Sequence, residues 1–559
     1  MTQTLVALSA IGVLLVGGLA SATARDYLID ANGADDNDGS EQYPLRTISR
    51  ANELPLAPGD RLLFRAGQVF RGNLVVADPV HGTAQAPIVI GSLGAGRATI
   101  DAGPGTGVWI RNCGGVVIQD LVVHGSGPGK NVGTGVRVEN TLPGTVTLDF
   151  VRIARVTCSG FAGYPGPIWN EYGGPSNYGE GFFIGGRPYD FSKSGYRDVR
   201  IDDCEAYDNQ YYGILFSGAW NPGEEAFANI DVHVTNCLTH HNSGDPAYRA
   251  NHSGNGILLE EVQNGVIEHC QAWENGALCA SAAGGPVGIW AAAADHILIR
   301  DCLAYSNRTA STDGGGFDFD GGVSNSTIEE CTSHDNEGAG ILLYSYPGAP
   351  HYFGSNVVRN CLSANDGKKN GLAGIAIGRH GGRFEGVEVY NNIIFASAKA
   401  GAGRAVTVFG LDARHIQFHG NLVVASNGAH LIEAKSQPGI TFFSNAYWSG
   451  LNPFAIVFDG KEYNSVADLR AATGQEAAEG GETPVATFAK MPVEKLASWL
   501  DSALTAALSA PTEHKGSDAA APRADSTTAT ASNDAKGEKS FPGNLLEMLG
   551  ILFPSALGD

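Results

Sequence analysis

The sequence predicts an all-β chain wound as a parallel β-helix, and three observations carry that expectation. First, Cys204, Cys237, Cys270, Cys302, Cys331 and Cys361 recur at gaps of 33, 33, 32, 29 and 30 residues, each inside one phrase: IDDCEAYDN, VTNCLTHHN, IEHCQAWEN, IRDCLAYSN, IEECTSHDN, VRNCLSAND. Second, a phrase built on Gly-apolar-x-apolar alternates with it, running GFFIGG, GILFSG, GILLEE, GIWAAA, GFDFDG, GILLYS and GIAIGR. Third, 76 Gly and 3 Met in 559 residues suit many short strands joined by tight turns. Repeats of this length built from short strands mean a solenoid or a propeller, and a propeller blade needs four strands in ~40–45 residues. Two or three strands in a shorter repeat favour coils stacked at ~4.8 Å.

Taken in order, Met1–Ala24 reads as a secretory signal. Leu5–Leu19 is its apolar core and Ala22-Thr23-Ala24 its cleavage site, although no Lys or Arg precedes the core. About 15 apolar residues are short for a span of ~20. The expectation is a secreted or periplasmic protein with no membrane insertion after signal cleavage. Residues 25–72 are expected to form an N-terminal cap, with a short helix near Leu45–Asn52, because the terminal repeats of solenoids need covering. Coils then run over 73–450. Residues 451–508 are read as a C-terminal capping segment. Lys461–Thr473 is its first helical stretch, and Val493–Leu508 is an amphipathic helix with Leu496, Leu500, Leu504 and Leu508 on one stripe. Residues 509–540, rich in Ala, Ser, Thr, Asp and Lys, read as a disordered linker. Residues 541–559 form a short apolar terminal segment.

Nine cysteines in an exported chain first suggest disulfides. A column of cysteines on neighbouring parallel strands offers poor Cβ geometry for them. The expectation is therefore free, buried thiols, with Asn209, Asn242, Asn275, Asn307 and Asn336 forming a second, purely structural ladder.

The repeated phrases, the Asn turns and the opening DYLIDANGADDNDGSEQYPLRTISRANELPLAPGDRLLFRAG resemble the right-handed parallel β-helix repeat family of secreted carbohydrate-active proteins. The resemblance covers roughly Asp26–Ser449 and implies a right-handed β-helix. It leaves function open, because that fold hosts lyases, hydrolases, epimerases, adhesins and tailspikes. The Asn-Thr-Asp with Gly-His-Gly pattern of polygalacturonases and the Asp-Pro-His-Asp pattern of alginate epimerases are both missing from the sequence.

Chemistry is expected on the strand GFDFD. Phe317 and Phe319 fall on one face, Asp318 and Asp320 on the other, roughly 6.6 Å apart along the backbone. Flanking glycines suggest an open wall. Aligning the second phrases puts Phe183, Leu215, Leu258, Trp290, Asp318, Leu342 and Ala376 in one outward column, and Gly185, Ser217, Glu260, Ala292, Asp320, Tyr344 and Gly378 in the next. The longest loops gather on this face, which marks the binding side of a solenoid. The expected groove has Glu260, Trp290, Asp318, Asp320 and Tyr344 on its floor. Asp313, His252, Arg379, His380, His351 and Tyr346 stand as candidates for its walls.

Aromatic rings beside carboxylates suit a polysaccharide substrate. Two chemistries use the same residues. Asp318 and Asp320 act as acid and base of a glycoside hydrolase, with Glu260 or Asp313 in support and no cofactor. Alternatively Asp313, Asp318 and Asp320 hold Ca²⁺ against a uronate while Lys368, Lys369 or Arg379 takes the α-proton in a lyase. A non-catalytic carbohydrate-binding or adhesion module is the third reading. It would show evenly short loops on every coil. His334 reads as a surface repeat position, since Tyr207, His240, Trp273 and Tyr305 occupy the same place in other coils. The net charge of −22 argues against nucleic acid as a partner.

Overall fold

The computed structural model of the chain describes residues 24–163, 179–186, 188–410, 414–435, 439–449 and 454–477. The signal core, the helix over Val493–Leu508, the linker and the apolar terminal segment lie outside the described residues. Among the described residues, no helix is long and apolar enough to cross a membrane.

The chain is an all-β, right-handed parallel solenoid. A typical coil contributes Val287–Ala292 to one wall, then Asp295–Arg300 and Leu303–Tyr305 to a second, bent wall. The first wall is a 14-stranded sheet and the second a 25-stranded one. Among the described residues, pairing is parallel throughout the coils and turns antiparallel only where Ile456–Phe458 meets Lys461–Tyr463.

Each corner has a local cause. The residue before each repeat cysteine adopts the left-handed conformation: Asp203, Asn236, His269, Asp301, Glu330 and Asn360 all have φ between 50° and 56°. Asp, Asn and His tolerate this region better than most side chains. One such residue turns the chain sharply while both flanking strands stay in the ladder. The cysteine that follows points inward, so the column sits at the corner between strands rather than within one. All nine cysteines are free and buried. Cys302 Sγ, for example, donates to the Arg300 carbonyl at 3.1 Å and to that of Ile267, one coil back, at 3.6 Å.

The asparagine ladder is internal. Asn242 donates its backbone N–H and its Nδ2 to Asn275 Oδ1 (3.1 and 2.9 Å), and Asn275 and Asn307 repeat the contact one coil on. Asp366 occupies the next rung and accepts both bonds from Asn336 at 2.9 and 2.8 Å. Burial pushes its carboxyl up to about 6, against the hydrogen bonds from Asn336 and Ser363. A raised carboxyl favours folding only while protonated, so this rung loses stability as pH climbs from ~4 through 6. Asp366→Asn restores the amide used elsewhere in the ladder. It is expected to add about 1–3 kcal/mol above pH 6 and to change little below pH 4, measured as the denaturation midpoint against pH.

Inside the first wall, Ile257, Ile289, Phe317, Ile341 and Ile375 stack rung on rung, with Leu259, Ala291, Phe319, Leu343 and Ile377 beside them. All are fully buried. At the N-terminal end, strand Asp26–Ile29 pairs in parallel with Arg61–Arg65, so the segment expected as a cap already winds in register with the coils. Its helix, Ile48–Ala51, starts where Thr47 caps the Arg50 N–H. At the other end the expected helical stretch divides. Lys461–Tyr463 is a strand, and the helix is Val466–Thr473, capped by Ser465.

Candidate active site

The ladder register reproduces the first outward column in full and the second in segments. Phe183, Leu215, Leu258, Trp290, Asp318, Leu342 and Ala376 follow one another on adjacent rungs. Glu260, Ala292 and Asp320 do the same in the second column, with Tyr344 and Gly378 on the coils beyond. Phe317 and Phe319 fill the interior, which fixes Asp318 and Asp320 on the other face. Gly316 is required at the strand's start. A Cβ there would meet Ser333 Oγ at 2.4 Å.

The wall is not open, in contrast to the sequence expectation. Asp318 is only 2% exposed, and its Oδ1 has no hydrogen-bond partner. The floor beside it is equally covered, with Trp290 at 3%. The physical reason is that chain from other coils crosses the glycines. The Tyr346 ring lies within 2.4–2.5 Å of where a Gly321 Cβ would be, and the His351 backbone lies against Gly322. Residues 346–352 thus run back over the preceding coil, and the His351 side chain reaches further. Their far end is fixed where His351 Nε2 comes within 3.5 Å of Glu261 and its ring stacks on Phe227 at 4.2 Å. Glu261 in turn meets Lys193 at 2.7 Å with both side chains at 0% exposure, an ionic contact rather than a well-directed hydrogen bond. Lys193 also donates to the Ala219 carbonyl at 2.8 Å.

Burial and crowding set the electrostatics. Burial, then the charges of Asp320 and Asp313, pushes the Asp318 carboxyl well above the usual carboxylate range. Burial raises Asp320 to about 7, opposed by the Gly321 N–H and aided by Asp313. Asp313 rises to about 6, again by burial and against the Gly285 N–H. Its loop is framed rather than loose. Thr309 N–H donates to Glu337 at 2.8 Å, Lys369 Nζ to the Thr309 carbonyl at 3.0 Å, and Asn370 Nδ2 to the Ser311 carbonyl at 2.8 Å. Glu260 accepts from Ser217 Oγ at 2.5 Å. It stands two rungs from Asp320, roughly 9.6 Å by the strand spacing, with Ala292 between them.

Rings line both ends. His252 lies 5.0 Å from Trp290 centroid to centroid, and its Nδ1 is within 3.1 Å of Asn255 Nδ2. Burial lowers the imidazole to about 4, so it is neutral at neutral pH. On the other side the Tyr344 hydroxyl meets His380 Nδ1 at 2.5 Å, and Tyr346 and Phe409 stand 6.3 and 6.2 Å from the Tyr344 ring. Burial, then Asp320, Asp313 and Asp318, pushes the Tyr344 phenol up to about 12. Gly378 makes room for Phe409, whose ring would sit 2.2 Å from a Cβ there.

Three overlapping matches to the right-handed β-helix region family cover residues 94–285, 177–394 and 286–446. The chain belongs to that family. No curated protein matches it in sequence. Among solved structures, this β-helix is similar to the GH136 lacto-N-biosidase of Eubacterium ramulus. The two share 16% identity over 76% of this chain and 68% of that one, with a TM-score of 0.53. It also overlays the A-module of a mannuronan C-5 epimerase from Azotobacter vinelandii (14% identity, 71% and 91% of the chains, TM-score 0.41). A third is a mannuronic acid-specific family 6 polysaccharide lyase from human gut microbiota (13% identity, 76% and 86%, TM-score 0.44). At these identities the likeness is one of fold.

Other expected residues of this β-helix go elsewhere. Lys368 and Lys369, candidates for a lyase base, are tied to Asp335 and Glu337 at 2.6 and 2.7 Å, on the Asn-ladder side of the coils. Arg379 ends strand Ile375–Arg379 with the parity of the inward residues, and its Nε donates to the Gly381 carbonyl at 3.1 Å. His334 is a structural ring, in a continuous stack of Tyr207, His240, Trp273, Tyr305 and His334 with interplanar angles of 15° or less. The described residues place three metal-competent atoms within 4.8 Å of one another at Glu268, His269 and Asp301, on the far wall. Among the described residues, Asp313, Asp318 and Asp320 do not bring three ligand atoms within that distance. The sequence reasoning missed Phe409 and the Lys193–Glu261 pair. Extending the phrase alignment by one coil, to AVTVFG, reaches Phe409. No sequence signal marks the buried ion pair.

Proposed function

We propose that this chain is a polysaccharide-active enzyme that hydrolyses glycosidic bonds at the wall bearing Glu260 and Asp320. The observation that carries this reading is three aspartates with raised carboxyls near one another, with Glu260 two rungs from Asp320 on the same wall and aromatic rings on either side. Asp320, at about 7, is protonated in about half of the molecules at pH 7, and the protonated form gives its proton to the departing glycosidic oxygen as the bond to the anomeric carbon breaks. Glu260, held by Ser217, takes the proton of the water that attacks that carbon from the opposite face. Their separation of roughly 9.6 Å lies near the ~6.5–9.5 Å typical of inverting glycosidases, which leaves room for the water. Asp318 stays protonated and offers a hydrogen bond to the sugar. Burial, with the charge of Asp313 adding to it, favours the protonated form of Asp320. Tyr344 and His380 present rings for the sugar faces.

The calcium-lyase alternative has less support. Its lysine candidates are already ion-paired, and among the described residues its three aspartates do not bring three ligand atoms together. The binding-module reading has the uneven loops against it. The test is incubation with a panel of neutral and acidic polysaccharides, with and without EDTA, following reducing ends and the ultraviolet absorbance of unsaturated uronates. Reducing ends are expected without absorbance and undiminished by EDTA. EDTA-sensitive absorbance would establish elimination instead. Neither signal on any substrate would favour a binding module.

A further inference from the structure

We infer that this site takes a glycan free of carboxylate and sulfate groups, because Asp313, Asp318 and Asp320 gather at one wall among aromatic rings and, among the described residues, no cation is paired with any of them. The inference rests on the reading of this wall as the sugar site.

Among the described residues, no ion pair reaches any of these three aspartates. Four basic side chains of the surrounding coils are committed to carboxylates of their own. Arg308 is with Glu274, Lys368 with Asp335, Lys369 with Glu337 and Arg404 with Glu433, at 3.5, 2.6, 2.7 and 3.1 Å. The imidazole at the site's other end, His252, is neutral. A site that recognises an anionic sugar needs a cation or converging N–H donors to replace the water stripped from its charge. This one offers carboxyl groups and ring faces. Protonated, those carboxyls donate to hydroxyls. Ionised, they accept from hydroxyls and repel a uronate. Both states suit an uncharged sugar, and the ionised state opposes a charged one. The covered floor strengthens the effect, since low polarity lengthens the reach of the repulsion.

Matched polymers test this directly. Binding of the full chain to polygalacturonate, alginate and chondroitin sulfate is compared with binding to their carboxyl-reduced or desulfated forms, and with xyloglucan, galactomannan and mixed-linkage glucan. Affinity electrophoresis at ~0.15 M salt serves, because screening beyond ~8 Å removes the general repulsion of a chain with net charge −22. At least one uncharged polymer is expected to bind about tenfold or more tighter than every anionic one. At pH ~8 the preference is expected to shrink in the Asp313→Asn, Asp320→Asn double variant, which keeps the shape and removes the two carboxyls that are ionised there. Equal or tighter binding of an anionic polymer overturns the inference, as does failure to bind any uncharged one. Uncharged polymers bound but never cleaved would sink the hydrolytic reading and leave this one standing. Reducing ends released from an anionic polymer would do the opposite.

Discussion

Asp320→Asn is expected to lower turnover on the cleaved polysaccharide by ~10² or more, the usual scale for losing a general acid. It should also make the protein more stable at neutral pH. The two effects share one cause. Asp320 has a folded value near 7 against an ordinary 3.8. Below pH ~4 the carboxyl is protonated folded or unfolded, and the pH has no leverage. Between ~4 and 7 the unfolded chain releases the proton while the folded one retains it, so stability falls as pH rises. The amide has no proton to release, and the variant should therefore lose this slope and gain about 1–3 kcal/mol at pH 7–8. Asp318→Asn should behave alike, with the larger stabilisation, because its carboxyl is the more deeply buried. Turnover together with thermal melts from pH 4 to 8 measures both effects. Full activity in both variants would place the chemistry elsewhere, and unchanged melts would show that the wall is wetter than its burial implies.

Phe319→Ala is expected to cost ~3–5 kcal/mol. Phe319 is fully buried, with Ala291 on the rung before it and Leu343 on the rung after. Two successive small residues would leave a void that the ladder hydrogen bonds prevent from collapsing. Activity should fall too, since the cavity opens directly behind the strand that holds Asp318 and Asp320 apart. A loss under about 1 kcal/mol in denaturant unfolding would mean that the phenyl ring is not a core element.

Much of this architecture can be read from the phrases, because strand alternation and rung stacking are both carried by residue position. Aligning GIWAAA under GFDFDG places Trp290 against Asp318 and Ala292 against Asp320, as the ladder does. What alignment cannot carry is chain that leaves one coil and returns over another. Tyr346 and His351 are visible in the sequence as long-loop residues, yet only the crossing of Gly321 and Gly322 turns an exposed acidic wall into a covered one. Glu261 is opaque for a different reason. It follows Glu260 in the phrase, but its φ of 57° turns the chain there, and it ends beside a lysine 68 positions away. Lys368 and Lys369 look available for catalysis in the sequence only because their acidic partners lie one coil back.

The stacked rungs also make the distance between the two proposed catalytic carboxyls a whole number. Glu260 and Asp320 are two steps apart because a single coil, the one bearing Ala292, is inserted between theirs. A side chain on this wall can be moved along the axis only in jumps of ~4.8 Å, never by a fraction. Excising that coil and rejoining the chain at equivalent corners would bring the pair to a single step. That is close to the ~5–5.5 Å at which a carboxylate stops activating water and attacks the sugar itself. In such a protein, stereochemical outcome is set by counting, and a deletion of about thirty residues acts on it as a discrete switch.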